Sequence, residues 1–142
     1  MQVSEVNIED EYVVVKETDS IYVVAQTLAK AGISDAVVLD DDDKVLGALD
    51  DFDIVSKVLA PEKDYKTMIA KDIIYAPPPV KLSMNLSEAH QIMKELDAMM
   101  LPVVDENRKL LGVLTIMDVL EGLTKEIENL NFWGKLKRLF GL

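Results

Sequence analysis

The sequence has no cysteine, one histidine and few basic residues, and each shortage excludes a class of protein. Without cysteine there is no disulfide framework, thiolate nucleophile or Cys-ligated metal. No apolar run approaches the roughly 18–20 residues of a membrane span. The N-terminus lacks a basic segment followed by an apolar one, so we expect no signal peptide and a cytoplasmic protein. A net charge of −11 opposes nucleic-acid binding, because such binding neutralises phosphates with basic side chains.

Catalytic and metal-binding motifs are also lacking. No Ser/His/Asp set, catalytic carboxylate pair or glycine-rich phosphate loop can be argued, so we expect no enzyme. The acidic run Asp40–Asp43 is interpreted as a solvated hairpin turn, since it lacks the glycine and the bidentate glutamate of a calcium-binding EF-hand loop. His90 lies on the apolar face of a predicted helix, which favours a packing role. We therefore expect no metal site.

What the sequence does contain is an internal duplication. Residues separated by 65 positions match in type: Asp40 with Asp105, Gly47 with Gly112, and Asp53 with Asp118. The same offset aligns two lead-in segments, Val3–Ile8 and Met68–Ile73. A repeat of this length predicts that the chain folds as two similar units.

Each copy predicts the order strand–helix–strand–strand–helix. The predicted strands of the first copy are 12–16, 37–40 and 45–49, and its helices begin after Ser20 and near Asp51. The second copy predicts a short edge strand at 80–82, a helix capped by Asn85, a hairpin, and a helix from about 116. The fold class is α/β with mixed sheets, and two copies this small should bury a shared face.

These elements divide the chain into four parts. The first copy covers 1–60, a linker 61–66, the second copy 67–124, and a C-terminal tail 125–142. One helical face of the tail is apolar (Phe132, Trp133, Leu136, Leu139, Phe140), and from residue 132 onward it carries three cations and no acid. Such a helix can lie weakly on an anionic membrane surface or dock on a partner. We favour a tail that folds back on its own module or on a dimer mate.

The duplicated motif resembles the CBS (cystathionine-β-synthase-type) domain, and two in tandem resemble a CBS pair, or Bateman module. Leu101–Asp105 and Gly112–Asp118 carry the resemblance, and Val37–Asp40 and Gly47–Asp53 repeat it more weakly. The resemblance implies a regulatory module that binds an adenosine ligand: AMP, ADP or ATP, with or without magnesium, or S-adenosylmethionine. It further implies a homodimer that signals to a partner protein.

The second copy carries the predicted ligand site. Asp118 can accept hydrogen bonds from both ribose hydroxyls, and Thr115 can donate to a phosphate oxygen beside a helix N-terminus. An apolar wall for the base is expected from Met100, Leu101 and Pro102 and from Ile74, Tyr75 and Ala76. The alternative is that Thr115 and Asp118 form only a helix cap and that the apolar residues are core.

The first copy departs from this pattern. Asp50 stands where the second copy has Thr115, Asp51 and Asp53 share the helix start, and Asp35 lies near the expected wall. Clustered carboxylates repel an anion unless a cation intervenes. We therefore predict one ligand site per chain, in the second copy. Asp53 is the candidate ligand-binding residue of the first copy, and the alternative there is a metal-bridged or purely structural site. A dimeric interaction scaffold with decayed ligand sites is the alternative function.

Overall fold

The first copy folds as a three-stranded mixed sheet with helices packed on it. The computed structural model describes residues 1–141. The elements of this copy are β1 (Val13–Lys16), α1 (Ile21–Ala31), β2 (Asp35–Leu39), β3 (Val45–Asp50) and α2 (Asp51–Ile54), which continues as a π-helical turn over Val55–Leu59. Strands β1 and β2 are parallel and joined by α1, whereas β2 and β3 form an antiparallel hairpin. The predicted order of elements is confirmed.

The ends of α1 follow from its capping residues. The Ser20 hydroxyl oxygen accepts a hydrogen bond from the Val23 amide (3.2 Å) at the start of the helix. Gly32 has a φ of +68°, a left-handed conformation that glycine adopts without a Cβ penalty, and its amide closes the last turn on Leu28.

The second copy repeats the hairpin and the helices but has a shorter first strand. Its elements are α3 (Leu86–Leu96), β4 (Met100–Val104), β5 (Leu110–Thr115) and α4 (Ile116–Phe140). The predicted strand at 80–82 is wrong, because only Val80 pairs with β4, through one parallel bridge to Val103. The preceding prolines 77–79 have no amide hydrogen to donate and so leave this strand one residue long.

The two lead-in segments are exchanged between the copies. The Val3 amide donates to the Met84 carbonyl of the second copy (2.9 Å), and the Ala70 amide donates to the Asp19 carbonyl of the first (2.8 Å). Val3 is fully buried in the core of the second copy, while Ala70 packs in the core of the first. Each copy is therefore completed by the other's lead-in.

The exchange corrects the sequence alignment of the lead-ins. The 3₁₀ turns Val3–Glu5 and Ala70–Asp72 are equivalent and lie 67 residues apart, not 65. The offset returns to 65 by Val15 and Val80, which pair with equivalent residues of β2 and β4. The second copy thus lacks two residues in the segment that contains its three prolines. Apolar spacing alone could not locate this gap.

A third core lies between the copies. It joins Val37 and Ala48 of the first sheet with Met100 and Val113 of the second. The predicted shared face is confirmed.

Helix α4 begins at Ile116, as predicted, and continues without a break to Phe140. Of the two expected positions of the tail, docking on its own module is contradicted, because Phe132, Trp133 and Phe140 are 58%, 61% and 71% exposed in the single chain. Docking on a dimer mate stays a prediction. Among residues 1–141, no helix has both the length and the apolar content needed to cross a membrane.

Candidate functional site

The predicted pair Thr115 and Asp118 meets at the junction of β5 and α4. Thr115 has an extended backbone, caps α4, and accepts a hydrogen bond from the Asp118 amide (3.3 Å). Its hydroxyl also donates to Asp118 Oδ2 (2.7 Å). The strand therefore delivers the hydroxyl, and the first helical turn delivers the carboxylate to the same point.

Asp10 joins this pair, and it was missed by the sequence analysis. Its Oδ2 lies 3.4 Å from the Thr115 hydroxyl. A hydrogen bond to the Asp118 carboxyl raises the pKa of Asp10, and burial and the charge of Asp118 add to the effect. Asp10 reaches the site because the Val113 amide binds the Ile8 carbonyl (3.0 Å) and so holds the exchanged lead-in along β5. The site thus contains two adjacent carboxylates and one hydroxyl.

The predicted wall residues of β4 point to two different sides. Met100 pairs with Thr115 across the hairpin and is buried in the core between the copies. Leu101 is fully buried in the separate core of the second copy, because successive strand residues face opposite sides. Pro102 returns to the side of Met100 and lines a cavity of about 230 Å³ with Gly47 and Arg108.

The other predicted wall segment lies mainly against the first copy. The Tyr75 backbone exchanges hydrogen bonds with Ala48 (2.9 and 3.0 Å), Ile74 packs against the first-copy core, and Ala76 is exposed. The exchange of lead-ins explains this placement. Only the Tyr75 side chain crosses over: its hydroxyl donates to the carbonyl oxygen of Met100 (2.7 Å), the strand partner of Thr115.

Tyr75 remains a hydrogen-bond donor in this setting. Burial raises the pKa of its hydroxyl far above the ordinary value of 10.0, and the carboxylates of Asp35, Asp50 and Asp53 raise it further. The side chain therefore links the two copies as a neutral phenol between their acidic junctions.

At the junction of β3 and α2, the acidic side chains are already bound by neighbouring groups of the same copy. Asp50 Oδ1 accepts from the Asp53 amide (2.8 Å), and Asp53 Oδ2 accepts from the Asp50 amide (2.9 Å). The Lys57 ammonium group neutralises Asp53 (3.0 Å) and donates to the Ile73 carbonyl (3.1 Å). Burial raises the pKa values of both Asp50 and Asp35, since burial disfavours the charged form.

Asp118 and Pro102 border different cavities. Asp118 lines a cavity of about 130 Å³ together with Asn7, Glu121 and Lys125. The cavity at Pro102 lies on the side of the hairpin turns, where Arg108 donates to the Val45 carbonyl (2.7 Å). Both volumes fall below the roughly 300 Å³ of a typical small-molecule pocket. Asp118 and Pro102 therefore do not line a common cavity in this structure. Within residues 1–141, no three His, Cys, Asp or Glu side chains are arranged to hold a metal ion.

Comparison with known proteins finds relatives that match about three quarters of this chain. Hypoxic response protein 1 of Mycobacterium tuberculosis is 32% identical over 109 residues, which are 74% of this chain and 73% of that protein. An uncharacterised protein of Methanopyrus kandleri, MK0525, is 31% identical over 105 residues, or 73% of this chain. The chain spans only 54% of the length of that protein.

Solved structures agree with the fold. The structure of hypoxic response protein I with two coordinated zinc ions matches with a TM-score of 0.72 at 26% identity, covering 86% of this chain and 98% of that one. The CBS domain protein PAE2072 of Pyrobaculum aerophilum, complexed with AMP, matches with a TM-score of 0.71 at 26% identity, covering 88% and 99%.

The family comparison matches both copies. The CBS domain model covers residues 3–60 and 70–125, most of the chain and both β–α junctions described above. The chain therefore belongs to the CBS domain family and carries two CBS domains in tandem.

Proposed function

We propose that the chain is a regulatory module that binds an adenosine ligand at the β5–α4 junction and signals through a partner protein. The observation that carries the proposal is the cluster of Thr115, Asp118 and Asp10, in which carboxylate oxygens suited to ribose hydroxyls stand beside a helix start. It is supported by AMP complexes of two relatives by structure, PAE2072 and CBSX2, at 26% and 25% identity.

The charge of the site distinguishes among adenosine ligands. Asp10 adds a second carboxylate where a 5′-phosphate would approach Thr115, and like charges at short range disfavour the complex. S-adenosylmethionine, whose 5′ substituent is a sulfonium cation, suits such a site. AMP, ADP or ATP would bind weakly unless a magnesium ion bridges phosphate and carboxylates.

The lead-in supplies a route for the signal. A ligand that replaces the contact between Asp10 and Asp118 competes with the segment that crosses from the first lead-in to β1. That segment is fastened to the second copy by the Ile8–Val113 hydrogen bond and by buried Val3. Binding would therefore change the position of residues 1–11 and alter the surface that a partner meets.

A thermal-shift panel tests the proposal, with adenosine, AMP, ADP, ATP and S-adenosylmethionine, each with and without magnesium. A ligand at about 100 times its dissociation constant adds roughly 2.7 kcal/mol to the free energy of unfolding, which raises Tm by several degrees for a chain of this size. We expect a shift with S-adenosylmethionine that is lost in Asp118→Ala. We also expect AMP without magnesium to bind more tightly to Asp10→Asn than to the unmodified chain.

An interaction scaffold is the second candidate, and the exposed aromatic end of α4 favours it. The same panel separates the two functions. If no ligand shifts Tm of the folded protein, the adenosine proposal is contradicted and the scaffold remains.

A further inference from the structure

The last part of α4 projects away from the rest of the chain. Gly122 is buried, and Glu126 forms an ion pair with the N-terminal amine. Residues 127–133, which follow, are all exposed, and the helix continues to Phe140. These last 14 residues extend about 21 Å at 1.5 Å per residue. A short helix that contains a glycine, here Gly134, is marginal in water unless a surface covers it.

One side of the projecting helix is apolar, and it stays uncovered within residues 1–141. Four of its large side chains are 58–78% exposed, namely Phe132, Trp133, Leu139 and Phe140. At 100° per residue these four and Leu136 fall within about 120° of one another. We call these five residues the aromatic stripe. Three of them are aromatic, and tryptophan in particular favours the boundary between lipid and water.

The cations of the projecting helix surround the aromatic stripe. Lys135 and Lys137 fall about 40° outside its two edges, and Arg138 lies on the opposite side of the helix. A lysine in such a position can cover the margin of the stripe with its methylene groups and direct its ammonium group outward. No acid follows Glu128. The end of α4 is therefore an apolar stripe bordered by positive charge alone.

We propose that the end of α4 binds an anionic lipid surface, with the aromatic stripe against the acyl chains and Lys135 and Lys137 on lipid phosphates. Charge complementarity supports this partner. Residues 132–141 carry three cations and no acid, and each cation close to an anionic leaflet strengthens binding roughly fivefold. A partner helix would need acids along both edges of the stripe, whereas an anionic leaflet presents phosphates on every side.

The acidic remainder of the chain is compatible with this contact. Removing the three cations from the net charge of −11 leaves −14 on residues 1–131, and an anionic leaflet repels that charge. Leu136, at the centre of the stripe, lies ten residues beyond Glu126, about 15 Å along the helix. The Debye length is about 8 Å at physiological ionic strength, so much of the repulsion is screened at that distance. The projection thus lets the end of α4 enter the lipid boundary while the two CBS domains stay in water.

The native chain carries its own probe, because Trp133 is its only tryptophan. We expect the emission of an exposed indole in buffer and a shift to the blue with vesicles of phosphatidylcholine and phosphatidylserine in equal parts. Vesicles of phosphatidylcholine alone should bind the chain much more weakly. Raising the salt concentration should weaken binding to the anionic vesicles, since exposed charges are screened.

A charge variant tests the electrostatic part of the contact, with vesicle sedimentation as the measurement. Lys135→Gln with Lys137→Gln should lower the partition coefficient about 30-fold, since two cations are lost and each contributes roughly fivefold. The matched control is Lys71→Gln with Lys94→Gln. It makes the same change of net charge on exposed residues outside α4 and should change the partition coefficient far less.

An apolar variant tests the aromatic stripe in the same assay. Phe132→Ser with Leu139→Ser should lower the partition coefficient about tenfold or more, because binding scales with the apolar area that enters the boundary. The matched control is Ile127→Ser with Leu130→Ser. These two side chains are 59% and 71% exposed on the same projecting helix but lie outside the stripe, so this control should bind like the unmodified chain.

Any of three results would overturn the proposal. The first is a chain that fails to sediment with the phosphatidylserine vesicles, or that sediments equally with phosphatidylcholine alone. The second is Trp133 emission that is already blue in buffer and moves to the red on dilution, which would show that a second copy covers the stripe. The third is a partition coefficient that the Lys135→Gln and Lys137→Gln changes lower no more than their control does.

Discussion

The two β–α junctions of the chain share the same capped strand-to-helix backbone but differ in the charges of their side chains. At the β3–α2 junction the acids bind each other's amides, and Lys57 neutralises Asp53. At the β5–α4 junction Thr115 replaces the capping acid, and Gly122 stands where the first copy has Lys57. No cation therefore compensates Asp118 from that helical position. Both copies thus keep the helix cap that folding requires, but only the second copy leaves a carboxylate without a neighbouring lysine, so only that carboxylate is available to a ligand.

The glycines of β3 and β5 test whether the copies are equivalent in folding. A Cβ at Gly47 would lie 2.4 Å from the Tyr75 carbonyl oxygen, and one at Gly112 would lie 2.4 Å from the Ile8 carbonyl oxygen. We expect Gly47→Ala and Gly112→Ala each to lower the free energy of unfolding by about 3 kcal/mol or more, because an exchanged backbone must move. Chemical denaturation measures this.

The matched control for the two glycines is Gly134→Ala. A Cβ there meets nothing within 4 Å, so we expect it to stabilise the folded chain or leave it unchanged. If only one of the two strand glycines were costly, the exchange of lead-ins would not be reciprocal.

Tyr75 is the residue that breaks the symmetry of the lead-ins. Tyr75→Phe removes the donor to the Met100 carbonyl, which is buried between the copies, and we expect a loss of about 1–2 kcal/mol in the free energy of unfolding. Urea titration measures the loss. Tyr22→Phe is the control, because that side chain is 48% exposed. Equal costs for the two variants would contradict the role of Tyr75 as a link between copies.

The acids of both junctions predict how stability depends on pH. Burial raises the pKa values of Asp35 and Asp50, and the hydrogen bond to Asp118 raises that of Asp10, above the ordinary 3.8. A raised pKa in the folded state means tighter proton binding by the folded chain, so stability should increase as the pH is lowered from 7 toward 3.8. Below that value the lowered pKa values of Asp40 and Asp43 act in the opposite direction.

A single variant sharpens this pH prediction. Asp35→Asn removes a half-buried charge, and we expect Tm at pH 7 to rise by about 2–4 °C and its pH dependence to become flatter. Asp41→Asn removes one charge from the exposed turn between β2 and β3 and should do neither. A Tm that falls steadily from pH 7 to pH 4 would contradict the assignment.

The fold was predictable from the sequence because the duplication repeats the pattern of most strands and helices, so each copy supports the prediction for the other. Ser20 and Asn85 act locally, and the helix starts that they cap form as predicted. The lead-in register was not predictable, because two residues are missing beside the prolines and apolar spacing tolerates either alignment. Asp10 was missed for a related reason: it lies outside the repeated motif and reaches Thr115 only through the exchange.

The tail shows a different limit of sequence reasoning. Its amphipathic face and its charge were read correctly from the residues. The direction in which it leaves the body depends on where α4 begins, at Ile116, and on the uninterrupted helix through Gly134. Amphipathic spacing indicates that a surface is needed but does not say what provides it.

Isothermal titration calorimetry with S-adenosylmethionine, and with AMP plus magnesium, tests most directly the claim that the second copy alone binds ligand. We expect one site per chain in the unmodified protein, no binding in Asp118→Ala, and unchanged binding in the equivalent first-copy variant Asp53→Ala, provided that circular dichroism shows both variants folded. Two sites per chain, or binding that survives Asp118→Ala and is lost in Asp53→Ala, would contradict the account.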